Sequence, residues 1–315
     1  MSQSIPSSLF PFQSKYVTLP RSFIRTEVAR LHYLDESPSV GLIDKAAQET
    51  ILCIHGNPTW SFYYRQVIQR FSPTCRVVAL DHLGSGLSSR PHYFSYRLHD
   101  HIDNLSYFIR FLGLKNITLL VHDWGAAIGL GWAVRHPHLL KRLVILNSAA
   151  FNSDDIPLRI RFLRTPLLGE FLMRRLNAFA WPAGFMGSRK GLHSAVRRSL
   201  LFPYSNYKQR LGVARFVQDI PTRPDHPSFR TLASIEAKLP TLLCPKLICW
   251  GARDFCFHSR FLNRWKEIYP EAKVKVFDDA GHFVLEDETQ GVLDAMDLFS
   301  KEGVPPSLES PPYPL

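Results

Sequence analysis

The chain has 315 residues, 45% hydrophobic and 21% charged, with a formal net charge of +11. Such a composition supports a large buried core, and it excludes a disordered, collagen-like or disulfide-dense chain. No apolar run approaches the ~18 residues of a membrane helix, and MSQSIPSSLFPFQSKY lacks the basic start and apolar core of a secretory leader, so neither span nor signal peptide is expected.

Five cysteines, two of them (Cys53 and Cys249) inside apolar runs, predict reduced thiols and a cytoplasmic location. Their spacing, Cys249 with Cys256 included, matches no zinc pattern, so no metal is expected. The charge is uneven. Residues 151–230 hold twelve Arg and two Lys against five acids, a net of 14 − 5 = +9 that leaves +2 for the rest. The arginines alternate with Leu, Phe and Ile at helical spacing, which reads as a solvated helical face and not as a nucleic-acid tract. A protein partner or an anionic surface is the alternative for this face.

Taken in order, residues 1–22 form an N-terminal arm, and Phe23 to Leu34 suggests an edge strand or hairpin. Pro38 to Gln48 is a loop. ETILCI (49–54) is a β-rich run that breaks at His55-Gly56-Asn57-Pro58. A helix is predicted from Thr59 to Phe71 and a strand from Arg76 to Leu80. The following Gly84-Ser85-Gly86 lacks the third glycine and the lysine of a phosphate cradle, so it is read as a turn. A helix spans Leu98 to Phe111, with Ile102, Leu105 and Ile109 on one face.

ITLLVHDWGAAIG, 117–129, is the stretch on which the others converge. An apolar strand reaches Asp123 and passes at once into a small-residue helix, so Asp123 stands at the crest of a sharp strand–turn–helix. A turn this tight needs a small neighbour, and Gly125 supplies it. An aspartate capping a helix has the same local pattern. A carboxylate in the place usually held by a serine is anionic at neutral pH and suited to displacement at an sp3 carbon.

A further β run covers Leu143 to Leu146. Strands alternating with helices predict an α/β fold whose mainly parallel sheet is covered on both faces. From about Phe151 some eighty residues carry only helical segments. This predicts a cap, 151–231, inserted between core segments 23–150 and 232–302 and lying over the ligand end of the sheet. Phe162, Phe171, Phe179, Trp181, Phe185 and Met186 are its candidate pocket lining, with Trp60 from the core. PKLICW (245–250) resumes the sheet ahead of Asp254, and Ala272 to Phe277 leads to His282. Helices are predicted at Ser259 to Ile268 and Asp287 to Phe299, and the proline-rich tail, 303–315, is read as disordered.

The order Asp123, Asp254, His282 is the nucleophile–acid–histidine order of α/β-hydrolases. HGNPTWSFYYR at 55–65, VHDWGAAIG at 121–129, GARDFCF at 251–257 and AGHFVLED at 280–287 resemble the haloalkane dehalogenases. NAFA at 177–180 and ARFVQDIP at 214–221 are similar to the subfamily that also contains the β-lactone decarboxylases of bacterial olefin biosynthesis. The resemblance implies Asp123 as nucleophile, His282 as base and Asp254 as the acid that orients it. It makes Asn57 and Trp124 the leaving-group donors, their backbone N–H groups an oxyanion hole. Some dehalogenases place the orienting acid after the preceding strand; here that position holds Asn147. Val121 likewise stands where the elbow pattern has a small residue. No cofactor is implied.

The implied substrate is small and hydrophobic with alkyl chains, and the cap motifs favour a cis-dialkyl β-lactone. Haloalkane hydrolysis through an alkyl-Asp ester is the alternative. An epoxide hydrolase would need acidic hydroxyls, for which Tyr204 and Tyr207 are the candidates, and a non-catalytic binding protein is the remaining reading.

Overall fold

A computed structural model describes residues 5–20, 28–38 and 49–302. Residues 39–48 of the loop expected at Pro38 to Gln48, residues 23–27 and the proline-rich tail lie outside them. The sheet comprises β1 (Lys15–Thr18), β2 (Arg30–Glu36), β3 (Thr50–Ile54), β4 (Arg76–Leu80), β5 (Ile117–Asp123), β6 (Leu140–Ser148), β7 (Lys246–Gly251) and β8 (Lys273–Phe277), in the order β1-β2-β4-β3-β5-β6-β7-β8. From β3 onward every pairing is parallel, while β1 and β2 are antiparallel. Part of the expected arm is therefore sheet: Lys15–Thr18 pairs with Arg30–Tyr33. A four-residue strand separated from its partner carries too little periodicity to read in advance.

The helices of the core are α1 (Arg65–Phe71), preceded by a 3-10 turn at Ser61–Tyr64, α2 (Leu98–Phe111) and α3 (Trp124–Ala133). The insertion contributes α4 (Leu158–Leu163), α5 (Leu168–Arg175), α6 (Ala180–Met186), α7 (Ser194–Leu201), α8 (Leu211–Gln218) and α9 (Pro227–Lys238). α10 (Ser259–Ile268), α11 (Val284–Asp287) and α12 (Thr289–Lys301) complete the chain. No helix among the described residues is long and apolar enough to cross a membrane.

Alternation along the strands splits the core in two. Leu52, Ile54, Leu119 and Val121 face α2, α3, α9 and α10, whereas Ile51, Cys53 and Leu120 face α1 and α12. With both faces covered, the central strands have no polar side, which is why they read as unbroken apolar runs.

Leu232 and Ile235 of α9 belong to the first of these cores. The expected cap boundary at 231 thus falls inside a helix that packs on α2 and α3. A separate small core of Ile160, Leu163, Met173, Ala214 and Val217 joins α4, α5 and α8. The cap is tied down over the loops that follow β3 and β4. The Trp60 indole donates to the Leu200 carbonyl at 3.2 Å. Gly84 (φ +87°) meets Gly212 backbone to backbone, and a Cβ on Gly212 would lie 2.3 Å from the Gly84 oxygen.

Candidate active site

Because β3, β5, β7 and β8 run parallel, the loops after them open at one edge of the sheet. Those loops carry Asn57, Asp123, Asp254 and His282. Asp123 has φ 53° and ψ −129°, a conformation rare outside glycine, which lifts its side chain clear of the strand. Two glycines make room for it. A Cβ on Gly125 would lie 2.0 Å from the Ile54 carbonyl oxygen, and one on Gly56 would lie 2.0 Å from the Asp123 Oδ1 atom itself. Val121, bulky where a small residue is usual, is accommodated by Gly129, whose Cβ would stand 2.9 Å from the valine Cγ1.

The Asn57 backbone N–H donates to Asp123 Oδ1 at 2.6 Å, and the Trp124 backbone N–H also points at this carboxylate. His282 Nε2 lies 3.7 Å from the other oxygen, Oδ2. That is beyond hydrogen-bond reach and leaves the carboxylate open to a substrate atom. His282 Nδ1 is 2.9 Å from Asp254 Oδ2, so Asp254 accepts the Nδ1 proton and Nε2 faces Asp123. Asp254 is itself fixed by the Cys256 N–H at 2.7 Å. The three groups named from the sequence are therefore contiguous and buried.

Asn147 does not face this cluster. Its amide clamps the end of β7, accepting from the Gly251 N–H at 2.8 Å and donating to the Gly251 carbonyl at 3.0 Å. Burial pushes the Asp123 carboxyl above the ordinary carboxylate range, and the His282 charge and the two backbone donors offset this only in part. Burial pushes His282 down. The charge and hydrogen bond of Asp254, with the charge of Asp123, outweigh it and leave the imidazole above its usual value.

Above the cluster lies a cavity of about 470 Å³, lined by Asn57, Asp123, Trp124, His282 and mostly apolar cap and core side chains. Phe179, Phe162 and Met186 line it. Trp60 and Trp181 do not. Trp60 is fully buried in the second core beside Phe10 and Phe62, and Trp181 projects to solvent with Phe185 beside it. Phe171 and Phe185 are likewise exposed on the cap surface. An aromatic in a helix signals burial or a pocket only once the helix's rotation is known, and the sequence does not give it. Neither Tyr204 nor Tyr207 reaches the cavity: Tyr204 is bound between the Gly86 N–H and the Thr59 carbonyl, and Tyr207 lies under Arg174.

Asn57 Nδ2 donates to the Val213 carbonyl at 3.2 Å, which uses one of its two hydrogens. The Trp124 indole N–H donates to no protein acceptor among the described residues. Two residues enter the site unannounced. Arg159 lines the cavity with its guanidinium 3.8 Å above the Phe255 ring centroid and 2.7 Å from Met186 Sδ. Asp287 sits behind the site. Its carboxylate takes the N–H groups of Gly281, Arg189 and Lys190 and the Ser188 hydroxyl at 2.5–3.1 Å, fastening the cap to the loop that carries His282. AGHFVLED contains Asp287, but nothing local marks which of its two acids, Glu286 or Asp287, gathers the backbone donors.

The chain belongs to the alpha/beta hydrolase fold family, which residues 49–289 match. It is 38% identical to cis-3-alkyl-4-alkyloxetan-2-one decarboxylase of Shewanella oneidensis, over 94% of this chain and 90% of that one. It is 30% identical to haloalkane dehalogenase 2 of Mycobacterium tuberculosis, over 89% of this chain and 92% of that one. Among solved structures, haloalkane dehalogenase DatA of Agrobacterium tumefaciens shares the fold, with a TM-score of 0.77 at 23% identity over 94% of this chain and 98% of that one. The expected fold and the resemblance to both enzyme groups hold.

Proposed function

We propose that this enzyme decarboxylates cis-3,4-dialkyl β-lactones, with Asp123 as nucleophile, His282 and Asp254 as its partners, and Asn57 and Trp124 as leaving-group donors. The observation that carries this reading is an ionisable carboxylate, flanked by an Asp-paired imidazole, on the floor of a large apolar cavity. The 38% identity to a protein named for the same reaction supports it.

Asp123 attacks the ring carbon that bears oxygen. The C–O bond breaks with its electron pair going to the ring oxygen, which leaves as a carboxylate while the substrate becomes an alkyl ester of Asp123. The second Nδ2 hydrogen of Asn57 and the Trp124 indole N–H meet the charge as it develops, when it is worth most. The bond to the new carboxylate then breaks. Its electrons form the C=C bond, the ester oxygen departs to regenerate Asp123, and CO2 and alkene are released.

Haloalkane hydrolysis is the second reading, because the same site holds a base. There the alkyl ester needs water, and His282 Nε2, with its 3.7 Å gap to Oδ2, stands where it would take the water's proton. An epoxide substrate is disfavoured because, among the described residues, no tyrosine lines the cavity to protonate an alkoxide. The test is to give the purified enzyme a cis-dialkyl β-lactone and, separately, a long 1-bromoalkane. Alkene without bromide supports the decarboxylase; bromide without alkene overturns it in favour of the dehalogenase.

A further inference from the structure

The cap surface is apolar as well as basic. Of the eighteen large hydrophobic side chains exposed among the described residues, nine lie between Leu158 and Met186. They come from α4, α5, α6 and the turns between, with Leu158, Leu167, Leu176 and Trp181 more than half exposed. The amphipathic spacing read from the sequence as a solvated face thus turns much of its apolar side outward. Over 156–218 the chain has twelve cations and one acid, Glu170, which is already engaged by Arg174 and Arg215. Arg161, Arg175 and Arg198 are exposed and pair with no carboxylate among the described residues.

The cavity reaches this face. Phe162 and Met186 are both exposed on the cap and part of the cavity wall, with Arg159 between them and Phe255. We propose that the cap docks on an anionic lipid surface, with its aromatic and aliphatic side chains among the headgroups and the cavity mouth against the bilayer.

Exposed Trp, Phe and Leu with arginines around them are the composition of an interfacial helix face, and its affinity adds apolar burial to electrostatic attraction. A second copy of this chain fits worse, because a self-complementary contact would bring like charges together. An apolar substrate concentrated in the bilayer would enter without crossing water. The inference goes beyond the reaction and does not depend on which bond the enzyme breaks, so its failure leaves the proposed chemistry untouched.

Trp181 makes the test direct. The other five tryptophans are buried or half-buried, so this indole reports on the face. The full chain is mixed with phosphatidylcholine vesicles, with and without 30% phosphatidylglycerol and with brominated acyl chains. Expected is co-sedimentation with the anionic vesicles only, loss of binding at high salt, and bromine quenching of fluorescence that Trp181→Phe removes. Arg161→Glu with Arg175→Glu should weaken vesicle binding about tenfold or more, while turnover of a short water-soluble substrate stays unchanged. Absence of binding to anionic vesicles overturns the proposal. So does undiminished binding by the double variant, or self-association that shields Trp181 without lipid.

Discussion

Asp123 combines a reactive charge, a strained backbone and a dry setting, and each has a measurable consequence. Asp123→Asn keeps the shape and one acceptor but removes the proposed nucleophile, so turnover should fall by about 10³-fold or more. The same change should raise the melting temperature by a few degrees. A carboxyl whose folded-state value lies above its unfolded one destabilises the fold when ionised, fully so above the folded value, and a neutral amide escapes that cost. Thermal melts and turnover on the same samples check both; a less stable, active variant contradicts the assignment. The pH profile separates the two chemistries. Steady-state bromide release needs neutral His282 and should be lost as pH falls through an imidazole value raised above its usual ~6.5. Alkene formation needs only ionised Asp123 and should persist to lower pH, failing near a carboxyl value raised above ~3.9. Coincident acid limbs would refute the separate roles. The crest itself was legible, because an apolar run, an acid and Gly125 leave few other folds for the stretch. The rotation of Trp60 and Trp181 was not, since it depends on packing partners far away in sequence.

At the scale of elements, the loop after β8 is held from two sides. Arg65 of α1 grips Glu286 of α11 through a buried two-pronged pair at 2.6 and 2.8 Å, and Asp287 gathers the cap and the Gly281 N–H on one carboxylate. Asp287→Ala would leave three backbone donors without their acceptor, costing about 3 kcal/mol or more. The melting temperature should drop by roughly 10 °C, and kcat should fall with it as His282 loses its register. Unchanged melting and kcat would show that the clamp is idle. The parallel strands and the long helices could be read in advance because their apolar periodicity is strong. β1 and the start of α9 could not: the first is too short, and the second differs from the cap helices only in what it packs against.

Among the described residues, a two-faced sheet and an inserted set of helices enclose an apolar chamber with the Asp123 carboxylate at its floor. The fold and the grouping of the site residues were readable because four motifs sit at four strand ends and chain order alone brings them to one edge. The cap's outer face was not, since outward and inward apolar residues have the same spacing. What the account rests on is that Asp123 bonds to carbon. Wild-type and His282→Gln enzyme, mixed rapidly with a cis-dialkyl β-lactone or a long 1-bromoalkane and quenched, can be weighed as intact chains and as peptides. The expected result is a chain heavier by the whole lactone, or by the alkyl group, with the added mass on the peptide that contains Asp123. Alkene or bromide released while the chain keeps its native mass, or an adduct on Cys256 or any other residue, would contradict it.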